Sequence, residues 1–338
     1  MKLYFKTVEN HSIIKNSYDV NLNGSFINIT NDDIPHPAQI HKQSCVYAHE
    51  LNNAFIYGGR HIIKDGFFYL DTPLEWSFEN NLDYIKRVRS VHKNEFSFLS
   101  EEFDFKERRT LLKLHNDIYH CGSVEHWNFG FFLTVLMPKI FYCYQLNPLK
   151  PVLVPITKNW QVQLLNEFFP DTEFIFYDPE IPVFCEKLTS ISWPEFGFYI
   201  NKEYVSFIRS ITQKSSFKYN IRNKKIFLSR GIAKHKDGRV CLDKARNLLI
   251  KKGYDIITPE KISYKNLFNI LHNTSDVIVE SGSALFNILF SDIPNVTILE
   301  SRTAFIGNHY RFGTSTTDNF KMIYFNNETE KDVAVFFN

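Results

Sequence analysis

The last third of the chain alternates two patterns, and that alternation constrains the fold more than any other feature. The runs "KIFLS", "DIITP", "DVIVE", "NVTILE" and "KMIYF" are short and apolar. Between them, "LDKARNLLIKKG", "SYKNLFNILHN" and "SALFNILF" repeat apolar residues at helical spacing. Strand, helix, strand, helix at this spacing requires parallel strands with right-handed crossovers, because each element needs another to cover its apolar face. Local punctuation agrees. Lys251 and Lys252 fall in a last helical turn with Gly253 as its stop, and Ser263 stands where an N-cap belongs. "ETEKDVAVFF" is expected to form a final helix.

The 338 residues suit two domains of roughly 100–200 residues each. Residues 1 to about 100 read as a β-rich meander. "SCVYAHE", "NAFIYGG", "HIIKDG" and "FFYLDT" are its short strands, with Gly58-Gly59 and Asp65-Gly66 as turns. An α/β series follows over residues 105–212. "FGFFLTVLMPKIFYCYQL" is its first helix, expected to end near Met137 because Pro138 follows. "PVLVPI" and "EFIFYD" are strands around the helix "WQVQLLNEFF", and "EYVSFIRSITQ" is a helix leading into a linker over 212–222. The expected division is an N-terminal domain of residues 1–212 and a C-terminal domain of residues 213–338, whose last helix is free to pack back on the first.

Composition excludes several classes. Apolar residues at 44% and charged residues at 22% describe a globular chain. A net charge of +2 gives no argument for nucleic acid. Five scattered cysteines (Cys45, Cys121, Cys143, Cys185, Cys241) form no C-x-x-C, which fits reduced thiols in the cytoplasm and neither a disulfide framework nor a zinc site. The N-terminus lacks the apolar core of a signal peptide. The helix starting at Phe129 is shorter than the roughly 20 residues of a membrane span. It is also interrupted by Pro138 and Lys139, so it is expected to be buried. Peripheral contact at the inner face of a membrane stays open.

Ligands on parallel sheets bind beyond the carboxyl ends of the strands. That rule selects three places in the second half. Ser229 and Arg230 end one strand, and nine Lys or Arg residues lie between Lys214 and Arg239 against one acid, Asp237. Arg230, Lys234 and Arg239 suit a diphosphate, although a solvated basic loop has the same composition. Pro259 and Glu260 follow a second strand, as a nucleotide contact or a plain connection. Glu280, Ser281, Gly282 and Ser283 follow a third. Small residues there let an anion approach the first turn of a helix, and Ser283 either caps that helix or donates to the anion. Glu280 could accept from a sugar hydroxyl. A capped helix with a Gly turn reads the same way. In "HNDIYHCGSVEHWNFGFF", His115, His120 and His126 lack metal-ligand spacing. His126 or Glu125 could act as a base ahead of the buried helix, or be ordinary loop residues.

Taken together, these segments resemble glycosyltransferase family 61, in its bacterial polysaccharide-biosynthesis branch. The resemblance rests on "IFLSR", "GYDIITPEKISYKNLFNIL" and "SDVIVESGSALFNILFSDIPNVTILE", with Gly282 to Asn287 as the small-residue turn. "NFGFFLTVLMPKI" matches at Asn128, Gly130, Leu136 and Pro138. Relatives usually carry a His at the position of Phe131, an acid at Thr134 and a His at Ser281. The resemblance implies an α/β, GT-B-like fold of two Rossmann-type domains facing a cleft, with a β-rich N-terminal elaboration.

It further implies an inverting hexosyl- or pentosyltransferase that needs no metal and no cofactor. The donor would be a nucleotide sugar of UDP or CMP type. The acceptor would be an oligosaccharide or lipid-linked saccharide in capsule or lipopolysaccharide synthesis. Ser229, Arg230, Lys234, Arg239, Pro259, Glu260, Glu280, Ser281, Gly282, Ser283 and Asn287 form the expected donor side. Asn128 lies on the acceptor side, and His126, then Glu125, are the candidate bases. The alternative is a degenerate scaffold of the same fold that binds nucleotide or saccharide without transfer. An oxidoreductase is disfavoured, because the chain lacks G-x-G-x-x-G. The sequence does not specify an oligomeric state.

Overall fold

The computed structural model describes residues 4–6, 11–15, 18–30, 32–38, 40–43, 46–59, 61–64, 67–69, 112–123, 126–156, 158–179, 181–192, 198–214, 223–230 and 242–326. The chain divides into two compact units, one of residues 1–18 and 42–196, the other of residues 19–41 and 197–338. The strands before the first helix are β1 (Tyr4–Lys6), β2 (His11–Lys15), β3 (Tyr18–Asn21), β4 (Ser25–Asn28), β5 (Ile40–Gln43), β6 (Val46–Tyr57), β7 (His61–Lys64), β8 (Phe67–Tyr69) and β9 (Leu112–His120). β3 and β5 pair with each other.

In the first unit β10 (Val152–Pro155), β11 (Phe174–Tyr177) and β12 (Val183–Ile191) complete a nine-stranded sheet. Its order is β1-β8-β7-β6-β12-β9-β10-β11, with β2 also on β6. The expected meander is present as antiparallel β6-β7-β8. Two expected strands are one, however. β12 pairs with β6 from Ala48 to Ile56, which carries the ladder across Asn53 by pairing Asn52 and Ala54 on either side of it. Asn53 absorbs the irregularity at φ 53°, a conformation that Asn tolerates better than most residues. β9 and β12 themselves were not legible. "LKLHNDIYH" shows solvent much of its length and buries only its last three residues.

The helix after β9 also departs from expectation. α1 (Phe129–Phe131), a π-helical stretch (Phe132–Leu136) and α2 (Met137–Leu146) follow one another without a break. Pro138 therefore does not end the helix. A proline normally clashes with the carbonyl four residues before it. Here the Met137 N–H reaches back five residues to the Phe132 carbonyl, widening the turn that Pro138 enters. The segment 129–146 is long and apolar enough to cross a membrane, yet 72% of it is buried, as for a core helix. α3 (Asn159–Phe168) then links the parallel strands β10 and β11.

The second unit is the legible one. α4 (Lys202–Lys214) leads to β13 (Lys224–Leu228), α5 (Asp243–Lys251), β14 (Asp255–Ile257), α6 (Tyr264–His272) and β15 (Thr274–Glu280). A 3-10 helix (Ser283–Phe290), β16 (Asn295–Glu300), α7 (Ile306–Thr316) and β17 (Phe320–Tyr324) complete it. All strands of its sheet are parallel, in the order β14-β13-β15-β16-β17-β4. Phe227, Ile278, Leu299 and Ile323 from four strands pack with Leu242, Ala245 and Leu249 around α5. Ser263 caps α6 as expected, accepting from the Asn266 N–H at 3.3 Å.

The expected boundary at 212/213 differs from the division into compact units. α4 belongs to the second unit because Arg209 donates to the Leu289 and Thr316 carbonyls and Thr212 donates to the Phe290 carbonyl. The expected last helix lies outside the described residues. α7 was not foreseen. Its Gly313 meets β17 so closely that a Cβ there would stand 2.1 Å from the Phe320 ring. Gly313→Ala is expected to destabilise the protein by about 1–3 kcal/mol, measured as a lowered urea midpoint with unchanged m-value.

Candidate functional site

The strand order creates one distinctive place. From β13 the chain crosses to β14 on one side, then returns to β15 on the other. The crevice beyond the carboxyl ends of β13 and β15 is thus a topological switch point, where open α/β sheets bind ligands. Ser229 and Arg230 follow β13, and Glu280 ends β15. Two of the three places selected from sequence therefore flank the switch point. The third, Thr258 to Glu260, follows β14 at the same edge.

Glu280 joins the two sides. Its Oε2 accepts from the Arg230 backbone N–H at 2.9 Å and from the Ser229 hydroxyl at 3.4 Å. This carboxylate thus holds the loop leaving β13. Pro259 and Glu260 form a single 3-10 turn, with the Glu260 side chain exposed.

The turn after β15 is strained in a way only glycine accepts. Gly282 adopts φ 116° and ψ −153°, a region closed to side chains with a Cβ. The following helix is 3-10, not α, and Gly282 stands at its N-cap with no side-chain bond. Ser283 is therefore not the cap, since the chain enters the helix through the extended glycine. Its eight residues wind tightly, and all but Ser283 are buried. Asn287 is one of them, and its side chain donates to the Ala284 carbonyl at 2.9 Å. That bond lies within the helix, so Asn287 supports the turn.

The sequence missed a second carboxylate. Glu300, at the end of β16, is fully buried. Its Oε1 accepts from the Ser301 and Arg302 backbone N–H groups, each at 2.9 Å. Its Oε2 accepts from His309 Nδ1, on α7, at 2.5 Å. The Ser281 hydroxyl donates to the same carboxylate. Burial alone would raise the Glu300 pKa, but the His309 charge and the donors from His309, Arg302 and Ser281 outweigh it, leaving the pKa below 4.5. The only sequence signal was a Glu ending "NVTILE". Nothing local pairs it with a His nine residues on.

In the first unit, His126 is buried, with its ring edge-on to Trp127 at 4.9 Å. Its carbonyl accepts from Gln161 Nε2 at 2.6 Å. Asn128 caps α1 by accepting from the Gly130 N–H at 2.9 Å. Thr134 donates back to the Gly130 carbonyl at 2.8 Å. His120 ends β9, whereas His115 pairs with Glu186 at 2.7 Å in an exposed position. Glu125, Lys234 and Arg239 lie outside the described residues, as does Asp65-Gly66.

With the strand-end geometry in view, comparison with known families decides the class. The family model Glycosyltransferase 61 matches residues 82–299. The chain belongs to the glycosyltransferase 61 family. No curated protein matches it. The matched span runs through the switch point and stops one residue short of Glu300. This glycosyltransferase therefore handles a sugar donor and an acceptor.

Two outcomes follow for the transferase. Gly282→Ala should cost about 1–3 kcal/mol, because Ala cannot hold that backbone conformation without strain; thermal denaturation reads this directly. Glu300, with its pKa depressed in the folded state, contributes stability that is complete above about pH 4.5 and is lost as pH falls through its folded value. Urea midpoints of the wild type should drop across that acid range, and Glu300→Gln should show a flatter drop from a lower starting stability.

Proposed function

We propose that this glycosyltransferase takes its sugar from a nucleotide sugar bound at the switch point of the six-stranded sheet. One observation carries the reading: the ends of β13 and β15, both inside the family match, meet there through Glu280. Arg230 lies at that crevice and suits a diphosphate. Gly282 carries no side chain between that edge and the Ser281 to Ser283 backbone, as an anion contact there would need.

Basic side chains can stabilise a departing diphosphate without a metal. Single displacement with inversion then suffices. The acceptor oxygen forms the new bond to the anomeric carbon as the nucleotide leaves with the electron pair of the broken bond, as a diphosphate from a UDP-type donor or a monophosphate from a CMP-type donor, and a base takes the hydroxyl proton. His126 or Glu125 is assigned to that base, and Asn128 to the acceptor side. The proposal includes a GT-B arrangement of two Rossmann-type domains, supported by the two α/β units. It also includes a UDP- or CMP-type donor, a saccharide or lipid-linked saccharide acceptor, a cytoplasmic location and a role in capsule or lipopolysaccharide synthesis.

Thermal-shift measurement against a panel of nucleotides and nucleotide sugars tests the donor site. A true donor at about 100 times its Kd should stabilise the protein by ~2.7 kcal/mol. Arg230→Ala should abolish most of that gain, since the Glu280 contact uses only the Arg230 backbone. No stabilisation by any nucleotide would sink the donor-site reading.

A further inference from the structure

The Glu300–His309 pair sits beside the proposed donor site and lies beyond the segment matched to the family. In register, Glu280 of β15 faces Leu299 of β16, so Glu300 stands level with Ser281 on the neighbouring strand. Adjacent strands are about 4.8 Å apart. The Ser281 hydroxyl and His309 Nδ1 meet on this one carboxylate. The imidazole therefore stands one residue from the Gly282 turn.

The ring is held on several sides. Phe305 stacks on it at 5.5 Å and 18°, and Phe286 meets it edge-on at 6.0 Å. Arg302 lies 4.7 Å from the centre of the same Phe305 ring and adds a cation to this edge. With Nδ1 committed to Glu300, Nε2 is the only ring nitrogen left to meet a ligand, and it makes no hydrogen bond among the described residues. A carboxylate near an anion site is a liability unless its charge is already met. Glu300 has four donors, one of which is the Nδ1 of the imidazole it orients.

We propose that His309 is a second phosphate contact for the donor. Its Nε2–H donates to a phosphate oxygen of the bound nucleotide, and Glu300 is the positioning residue that fixes the ring. This rests on the donor reading above and extends it to an element outside the family match. It also gives α7 a functional reason to close against β16.

The amide of Asn can replace the Nδ1 donor of His but has nothing at the Nε2 position. His309→Asn in the full chain therefore separates the two nitrogens. Calorimetric titration would use UDP and CMP, with uridine and cytidine as phosphate-free controls. The variant should bind the preferred nucleotide about tenfold or more weakly, as for a lost charge-assisted bond, and the nucleoside as the wild type does. In wild type labelled with ¹⁵N-histidine, the His309 Nε2 signal should move on adding that nucleotide and not on adding its nucleoside. This second measurement does not depend on the variant folding. Equal nucleotide affinity in His309→Asn, equal losses for nucleotide and nucleoside, or an unmoved Nε2 signal would each overturn the contact while leaving the donor reading intact. Failure of the wild type to bind either nucleotide, or any member of the thermal-shift panel, would remove both.

Discussion

Glu300 can remain charged inside the protein only because four donors reach its two oxygens. An uncompensated carboxylate at that depth would cost several kcal/mol. The donors come from different parts of the chain: the turn after β15, the residues just beyond β16, and α7. Satisfying one charge therefore fixes three segments at the carboxyl edge of the sheet. Glu280 does the same between β15 and the loop after β13. The two carboxylates stand on neighbouring strands, and together they define the edge on which a donor would rest.

That arrangement alters the part played by several residues. Glu280 looked like a ligand group, yet one of its oxygens is engaged in holding Ser229 and Arg230 in place. Asn287 carries part of the family resemblance, but its amide is used inside the 3-10 helix. Ser281 lies in the small-residue turn, and its hydroxyl serves Glu300. Such groups shape the site by fixing backbone, and a ligand then meets the N–H groups and side chains that remain.

The legible and illegible parts of the chain differ for a physical reason. β13, β15, β16 and β17 are largely buried parallel strands, so they appear as nearly continuous apolar runs between helices. β9 is largely exposed, β12 is mostly buried but carries Glu, Lys, Thr and Ser among its apolar residues, and β9 mixes in Lys, His and Asp, so no period marks either strand. Pro138 argued for a helix end by a sound local rule, and a π turn relieved the clash. "IGNHYRFGTST" contains two glycines and several β-branched or hydroxyl residues, a poor helix on propensity. α7 forms because Gly313 fits against Phe320, Tyr310 donates to the Gly24 carbonyl at 2.8 Å, and Arg209 takes the Thr316 carbonyl.

By itself the sequence determined the parallel strand-helix series, the three strand ends that gather at one edge, and the family. Each of these follows from local apolar periodicity or from short motifs in order. Only the tertiary structure decided that β4 joins the second sheet, that α4 belongs with it, and that Glu300 meets His309. Those outcomes depend on a parallel pairing between residues nearly the whole chain apart, on side chains reaching backbone carbonyls in other elements, and on a buried charge finding its donors. No local pattern encodes such contacts, because each partner is an ordinary residue until folding brings the other beside it.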